Sequence, residues 1–306
     1  MDIASEIKKT RTIKDNSLKA YLIILKKLNN NKEVENLDYL KDTEKIMKKI
    51  KEMALTTQRN YLGSILVALP ILKNSKDTLE FYKTELEKVN KDYQDIIGSH
   101  EKSEKQKTNW SSLDELKTIF NKYKKEIKNN KYNDKEKLSS KEFNFLTNYL
   151  IVALYTLIPP TRLDYAPMSI IKSKEVDDDK NNYLVNKSRN TKFFIINEYK
   201  SSKTYGKQII KIPPDLNSII NLYLKFHKDN KSFLLNSRGQ HLSANGLSKL
   251  LTSSFKRYTD KSITLNLLRH VYISENVKLT EDTEESKLAS SMMHSEATQQ
   301  TYIKKD

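Results

Sequence analysis

Apolar residues recur every three or four positions between Asp15 and Asp92. This period places them on one face of a helix, so it predicts the helices Leu18–Leu28, Thr43–Met53 and Thr57–Leu72. The run Leu55-Thr56-Thr57-Gln58 predicts a helix start with a hydroxyl side chain as its cap. Pro70 predicts a kink or an end within the last of these helices. We therefore expect a small helical bundle in this part of the chain.

A polar run from His100 to Lys107 follows the bundle. Such a run is typical of a solvated linker, so we assign domains to residues 1–99 and 109–306 with a linker at 100–108. The segment Trp110–Glu115 then predicts a capped helix start.

The second domain combines helical periods with short extended segments. Helices are expected at Leu116–Ile127, Ser140–Ile158, Asn217–Phe226, Ala244–Tyr258, Thr264–Val277 and Glu284–Met293. Between the second and third of these lie β-branched or aromatic segments that predict a small antiparallel sheet: Tyr183–Val185, Phe193–Asn197 and Gln208–Ile212. The turn Lys200–Lys207 joins the last two segments. The predicted fold class is mainly α, with a helical first domain and a mixed α/β second domain that carries this sheet.

The charge balance favours a polyanionic partner. The chain has 55 Lys and Arg against 39 Asp and Glu, a formal net charge of +16. When a basic protein neutralises nucleic-acid phosphates, it releases condensed counterions, and this release favours binding. A compositional bias toward Lys and Asn explains the same excess without any partner, so charge alone leaves both readings open. Only seven of the 55 basic residues are Arg, which makes each arginine more informative.

Several functional classes are excluded by residue type. The absence of Cys removes disulfides, thiolate zinc sites and cysteine nucleophiles. The five glycines are scattered, so no phosphate-binding or dinucleotide-binding loop can form, and no histidine pair has metalloprotease spacing. No apolar run is long enough to span a bilayer, and the first residues are polar, so we expect a soluble intracellular protein.

Four residues of the second domain are candidates for chemistry: Arg162, Arg269, His294 and Tyr302. Each also has an ordinary structural explanation. An arginine or histidine at a helix end often caps carbonyls, and a tyrosine near a chain end often packs.

The order of these residues resembles the tyrosine recombinase (phage integrase) family. Its members carry an early Arg, a Lys in a β-turn, a His-x-x-Arg on a later helix, then a His or Trp, and finally the Tyr. This chain has Arg162, a turn Lys, Asn266-x-x-Arg269, His294 and Tyr302 in that order, and further likeness lies in Arg269–Ser274, His294-Ser295 and Thr56–Leu62. The abundance of Lys and Asn also resembles versions carried by large DNA viruses and their mobile elements.

The resemblance implies a core-binding domain at 1–99 and a catalytic domain at 109–306. In the family, two arginines and a third donor, here His294, hold a DNA phosphate while Tyr302 attacks to form a 3′-phosphotyrosine. The reaction needs no metal or nucleotide cofactor. The implied partner is double-stranded DNA, on which a homo-tetramer assembles, in the nucleus or cytoplasm of a host.

A turn lysine is the family's general acid toward the leaving 5′-oxygen. Lys203 fits this role best and Lys200 is second, while Lys200 and Lys207 are also expected to contact the DNA backbone. In the first domain, the expected DNA contacts are Thr57, Arg59 and Asn60.

Asn266 departs from the family pattern because it replaces the usual His. An amide can donate a hydrogen bond to phosphate, but it cannot carry charge or transfer a proton. Asp164 is a candidate to accept from a guanidinium and fix its position, although a carboxylate at a helix start is an equal reading.

Two other functions remain open on the sequence. A type IB topoisomerase uses similar residues as a monomer, and a DNA-binding protein of the same fold that has lost catalysis would carry the same pattern. Exchange between duplexes, relaxation of supercoils and binding without cleavage would tell the three apart.

Overall fold

The structure, a computed structural model, describes residues 2–172, 178–227, 230–276, 288–289 and 291–304. The chain divides into two compact units, Met1–Ser99 and His100–Asp306. The described part is mainly helical with one small sheet, which confirms the predicted fold class in outline. No helix in this part is both long and apolar enough to cross a membrane.

The first unit is a bundle of five α-helices. We number them α1 to α5: Ile3–Thr10, Asp15–Leu28, Thr43–Lys51, Leu55–Ala68 and Lys76–Gly98, with 3-10 turns at Asp38–Lys41 and Leu69–Ile71. Their apolar faces meet in one core, where Leu25, Leu62, Ile65 and Tyr82 are fully buried. The three helices predicted here from periodicity are therefore confirmed, with ends shifted by a few residues.

The start of α4 differs from the prediction, whereas its end agrees. Its cap is Ala54, and no hydroxyl side chain caps the free N–H groups. The Gln58 side chain binds the loop before the helix, because its Nε2 donates to the backbone oxygen of Met53 at 2.7 Å. Pro70 lies in the 3-10 turn that begins after α4 ends at Ala68. Because proline has no N–H to donate and clashes with the preceding turn, the α-helix stops there.

The second unit contains the remaining helices of the described residues. They are α6 to α13: Glu104–Asn109, Leu113–Asn129, Ser140–Thr156, Ser202–Tyr205, Pro214–Lys225, Ala244–Lys256, Leu265–Asn276 and Glu296–Gln300, with a 3-10 turn at Tyr132–Asp134. Half of the predicted helix Glu284–Met293 lies outside the described residues. Ser112 and Glu115 form a capping box at the start of α7, as the sequence predicted.

The polar run predicted as a linker is partly helical. Residues 100–108 group with the second unit, and α6 begins within them at a capping box of Ser103 and Gln106. The Asn109 Oδ1 accepts from the backbone N–H of Ser262 at 2.5 Å, which attaches the end of α6 to a distant loop. The run is polar because it forms a short surface helix, in which none of the residues is buried.

The sheet has four strands in the order β1-β2-β3-β4: Ser169–Ile171, Tyr183–Asn186, Lys192–Ile196 and Gln208–Lys211. The strands β2, β3 and β4 pair antiparallel, but β1 pairs parallel to β2. The three predicted segments thus form the antiparallel part of the sheet, and β1 adds a parallel strand to it. The strand β1 was not predicted because three residues are too few to show an alternating pattern.

The sheet is covered on both faces. Leu184, Phe194 and Ile196 belong to the main core of the unit, whereas Phe193 and Ile195 pack in a second cluster on the opposite face. The loop from β3 to β4 contains the single turn of α9, and Gly206 ends it with a positive φ of 63°. This loop carries Lys203.

Candidate active site

Arg269 lies on α12 and is 1% exposed. Its Nη1 donates to the carbonyl of Pro160 at 2.6 Å, in the loop that precedes Arg162. Its Nε and Nη2 are buried and have no hydrogen-bond partner within the described residues. Burial lowers the pKa of the guanidinium, which remains a cation because the unperturbed value is so high. A buried cation with unpaired donors lowers the stability of the fold, so an anionic ligand best explains its position.

Tyr302 packs directly against this cation. The central carbon of the Arg269 guanidinium lies 5.0 Å from the centroid of the Tyr302 ring. The ring is half-buried, and the interaction of its hydroxyl with Arg269 raises the pKa of that guanidinium, against the effect of burial. The sequence places these two residues far apart, and the fold brings them together.

His294 is the third member of this cluster. Its ring is nearly parallel to that of Tyr302, with 5.7 Å between centroids and an interplanar angle of 18°. Its Nδ1 lies 3.1 Å from the carbonyl of Ser295, which can only accept, so Nδ1 carries the proton. Its Nε2 is buried without a partner among the described residues. Burial, with smaller contributions from Arg269 and Arg162, lowers the pKa of His294 to about 4, so the ring is neutral at pH 7.

Arg162 follows Pro160 in the loop after α8. Its backbone carbonyl accepts from the Tyr155 hydroxyl at 2.9 Å, which fixes the loop. Its positive charge lowers the pKa of both Arg269 and His294, so its guanidinium lies near them. Its guanidinium forms no hydrogen bond or salt bridge to any residue in the described ranges.

Asp164 does not hold a guanidinium as one reading proposed. Its Oδ2 accepts from the backbone N–H of Arg162 at 3.1 Å. Burial raises the pKa of this carboxyl. It therefore shapes the loop of Arg162 and leaves the guanidinium of that residue available.

The three turn lysines, Lys200, Lys203 and Lys207, are exposed. None of them forms a hydrogen bond or salt bridge with another described residue. Their loop is attached to the segment of His294, because the Ser201 Oγ donates to the carbonyl of Met293 at 2.9 Å. The structure thus places the lysine loop beside the cluster without selecting one lysine.

Asn266 is exposed at the start of α12, and its Nδ2 lies 3.4 Å from the Nε2 of His270. The resemblance implies that this amide can donate a hydrogen bond to phosphate. In the structure its Nδ2 has a protein partner on its own helix.

The predicted DNA contacts of the first unit lie on α4. Arg59 has a structural role there, because its guanidinium stacks 3.9 Å from the ring centroid of Tyr93 and its Nε donates to the Asn90 Oδ1 at 2.7 Å. These contacts join α4 to α5. Asn60 is exposed and Thr57 is half-buried.

Two residues of the site were given no role by the sequence. His270 and Ser274 both contact the backbone carbonyl of Tyr302, through Nδ1 at 2.8 Å and Oγ at 3.3 Å. The run Arg269–Ser274 resembles the family, and the spacing of four residues on one helix face is the signal that these two act together.

Among the described residues, no group of three or more His, Asp or Glu side chains is placed to hold a metal ion.

Comparison with protein families finds none that matches this sequence, and no curated protein compared with the chain matches it either. Among solved structures, the chain is similar to one described as a crystal structure of XerA recombinase. That match has a TM-score of 0.43 and 13% identity, and it covers 99% of this chain and 92% of the other. A likeness this distant says nothing about the site, so the function is inferred from the residues of the site themselves.

Two of the buried histidines, His270 and His294, make stability depend on pH. Burial lowers the pKa of both His270 and His294 to about 4 from an ordinary value of 6.5. The unfolded chain therefore binds more protons than the folded chain between these values, so stability rises with pH across this window and is lost on acidification. We expect urea unfolding to give a lower free energy of unfolding at about pH 5 than at about pH 7.5.

The double variant His270→Asn/His294→Asn should flatten this dependence, whereas His241→Asn, at an exposed histidine, should leave it unchanged. The same slope in the double variant as in the wild type would contradict the assignment.

Proposed function

We propose that this protein is a site-specific DNA recombinase that cleaves and rejoins strands through a 3′-phosphotyrosine on Tyr302. One observation carries the proposal: the buried guanidinium of Arg269 has unused donors and lies against Tyr302, with whose hydroxyl it interacts. A cation with unused donors fits a phosphate, and a phenol beside that phosphate fits a nucleophile.

The arginines suit the charge that develops during cleavage. A phosphodiester under attack gathers negative charge on its two non-bridging oxygens. Arg269 offers unused N–H groups on Nε and Nη2, and Arg162 offers a guanidinium that no described residue engages. A guanidinium presents its donors in a planar fork that matches the oxygens of a phosphate. Together they would hold the phosphate and stabilise the transition state.

His294 would move a proton and then bind the phosphate. It is neutral, and its Nε2 carries a free lone pair in the same cluster as Tyr302. As the Tyr302 oxygen forms its bond to phosphorus, the phenolic proton passes to this nitrogen. The imidazolium that results is a donor, and it would hydrogen-bond a non-bridging oxygen.

The bond from phosphorus to the 5′-oxygen breaks in the same step, and this oxygen needs a proton. We assign the proton to Lys203, on the loop that Ser201 attaches to the His294 segment. A new 5′-hydroxyl reverses the step and rejoins the strand. Exchange between two duplexes requires four cleaving sites, so we propose a homo-tetramer on double-stranded DNA.

Covalent selection from a randomised duplex library tests the proposal. Denaturation after incubation would leave cleaved strands attached to the protein, and sequencing them would reveal the target. We expect attached strands with a shared sequence, linked by their 3′ ends. Supercoil relaxation without exchange between duplexes would instead indicate a topoisomerase. Binding without attachment would show that the chain recognises DNA but does not cleave it.

The role of Lys203 can be tested with a leaving group that needs no proton. We expect Lys203→Ala to slow attachment about 100-fold or more on ordinary DNA, the usual scale for losing a general acid. A substrate with sulfur in place of the 5′-bridging oxygen should restore the rate, because a thiolate leaves without protonation. The measurement is the single-turnover rate of attachment on both substrates.

Lys200→Ala and Lys207→Ala are the matched controls, since both lysines are exposed on the same loop. They should weaken binding and show no special rescue by sulfur. Rescue of Lys200→Ala, with Lys203→Ala unaffected, would move the role to Lys200.

A further inference from the structure

The helix α12 presents three polar side chains at four-residue intervals: Asn266, His270 and Ser274. This interval places them on one face of the helix, one turn apart. The same helix carries Arg269. A group that binds to this face therefore lies at a fixed distance from the guanidinium.

The face holds the main chain of the nucleophile. The carbonyl of Tyr302 accepts from the His270 Nδ1 at 2.8 Å and from the Ser274 Oγ at 3.3 Å. The Ser274 Oγ also accepts from the backbone N–H of Lys304 at 2.8 Å. A serine hydroxyl has one proton, so it donates to residue 302 while it accepts from residue 304.

The next residues of this segment are bound as well. The Nδ1 of His100 lies 3.2 Å from the carbonyl of Ile303. The Lys304 Nζ donates to the carbonyl of Glu101 at 3.0 Å. The backbone is thus held at three successive residues, beginning with the nucleophile.

The tautomer of His270 follows from its two partners. A carbonyl only accepts, so the Nδ1 that faces Tyr302 must carry a proton. In the neutral ring Nε2 then carries a lone pair and accepts a hydrogen bond from a donor. The Asn266 Nδ2 is that donor, at 3.4 Å.

The surroundings of His270 keep the ring neutral. Burial lowers its pKa to about 4, and the neighbouring cations Lys304 and Arg269 act in the same direction. The Tyr302 carbonyl acts against them. At neutral pH the ring therefore has one proton, and the Tyr302 carbonyl and Asn266 together place it on Nδ1.

We propose that Asn266, His270 and Ser274 are positioning residues that hold the main chain of Tyr302, with Asn266 and the Tyr302 carbonyl together fixing the tautomer of His270. This inference rests on the proposed function, since it concerns how the same nucleophile is oriented. The ring of His270 also contacts that of Tyr302, with 4.8 Å between centroids, so main chain and side chain are restrained together. Asn266 thereby acts through His270 and need not touch the phosphate.

Two substitutions at His270 separate the hydrogen bond from the bulk of the ring. The amide of His270→Asn occupies the place of Nδ1 and can still donate to the Tyr302 carbonyl, whereas His270→Leu cannot. We expect His270→Leu to slow attachment by about 10- to 100-fold at saturating DNA, because small misplacements of a reacting group are costly. DNA affinity should stay unchanged, and His270→Asn should recover most of the rate. The measurements use the full chain and the randomised duplex pool.

A spectroscopic measurement tests the role of Asn266 without any DNA. Nitrogen-15 NMR of the free protein should show His270 with its proton on Nδ1 at neutral pH. Asn266→Ala should increase the population with the proton on Nε2, because only the Tyr302 carbonyl then selects the tautomer, and it should slow attachment severalfold. Asn276→Ala, on the same helix, should change neither. Because Asn266 is exposed, its replacement is compatible with folding even if His270→Leu is not.

The outcomes separate this proposal from the proposed function. If the wild type attaches no DNA, the proposed function fails, and the NMR result still decides the tautomer. If the wild type attaches DNA and His270→Leu does so at the same rate, the positioning role is refuted and the enzyme remains. A proton on the Nε2 of His270 would also refute it.

Discussion

We expect Tyr302→Phe to abolish covalent attachment to DNA, a loss of at least about a thousandfold in rate. The substitution removes one oxygen, the atom that would attack phosphorus, and keeps the ring that packs against Arg269 and His294. Binding to the same duplexes should persist, because the arginines and the +16 charge of the chain are unchanged. Electrophoresis under denaturing conditions measures attachment, and a native gel measures binding.

Tyr272→Phe is the matched control. Tyr272 packs in the same small apolar cluster as Tyr302, so both variants lose a hydroxyl in similar surroundings. Tyr272→Phe should attach DNA at the wild-type rate. If Tyr302→Phe still attached DNA, another residue would be the nucleophile, and peptide mapping of the adduct would identify it.

For Arg269→Met we expect opposite effects on activity and stability. Attachment should fall by about 100- to 1,000-fold, the usual cost of removing a donor that stabilises a developing oxyanion. Stability should stay the same or rise, because methionine fills a similar volume without a buried charge, and such replacements stabilise proteins by about 1–4 kcal/mol. Loss of the hydrogen bond to Pro160 offsets about 1 kcal/mol of this gain. Attachment rates and urea unfolding are the two measurements.

Arg257→Met should give the reverse pattern. The guanidinium of Arg257 stacks over Phe145 at 4.8 Å and forms a salt bridge with Glu126 at 3.5 Å. Its loss should lower the free energy of unfolding by up to about 1 kcal/mol and leave attachment unchanged. Phosphate should raise the melting temperature of the wild type more than that of Arg269→Met. A large loss of stability in Arg269→Met would show that this guanidinium serves the fold.

Local features of the fold could be predicted because they depend on neighbouring residues. The helices of the first unit follow from apolar spacing, the end of α4 from Pro70, and the start of α7 from the capping box of Ser112. The parallel strand β1 could not be predicted, because its pairing depends on where the chain returns rather than on its three residues. The role of Arg59 was also hidden, since Tyr93 and Asn90 meet it only when α4 and α5 pack.

The sequence by itself determined the candidate residues Arg162, Arg269, His294 and Tyr302, and their order along the chain. Residue type and spacing sufficed because the chemistry needs cations, a donor and a phenol. Only the tertiary structure decided that Arg269 is buried with unused donors against Tyr302, and that His270 binds the backbone carbonyl of Tyr302. Burial and hydrogen-bond partners come from segments more than thirty residues apart in sequence, and no local pattern records how those segments pack.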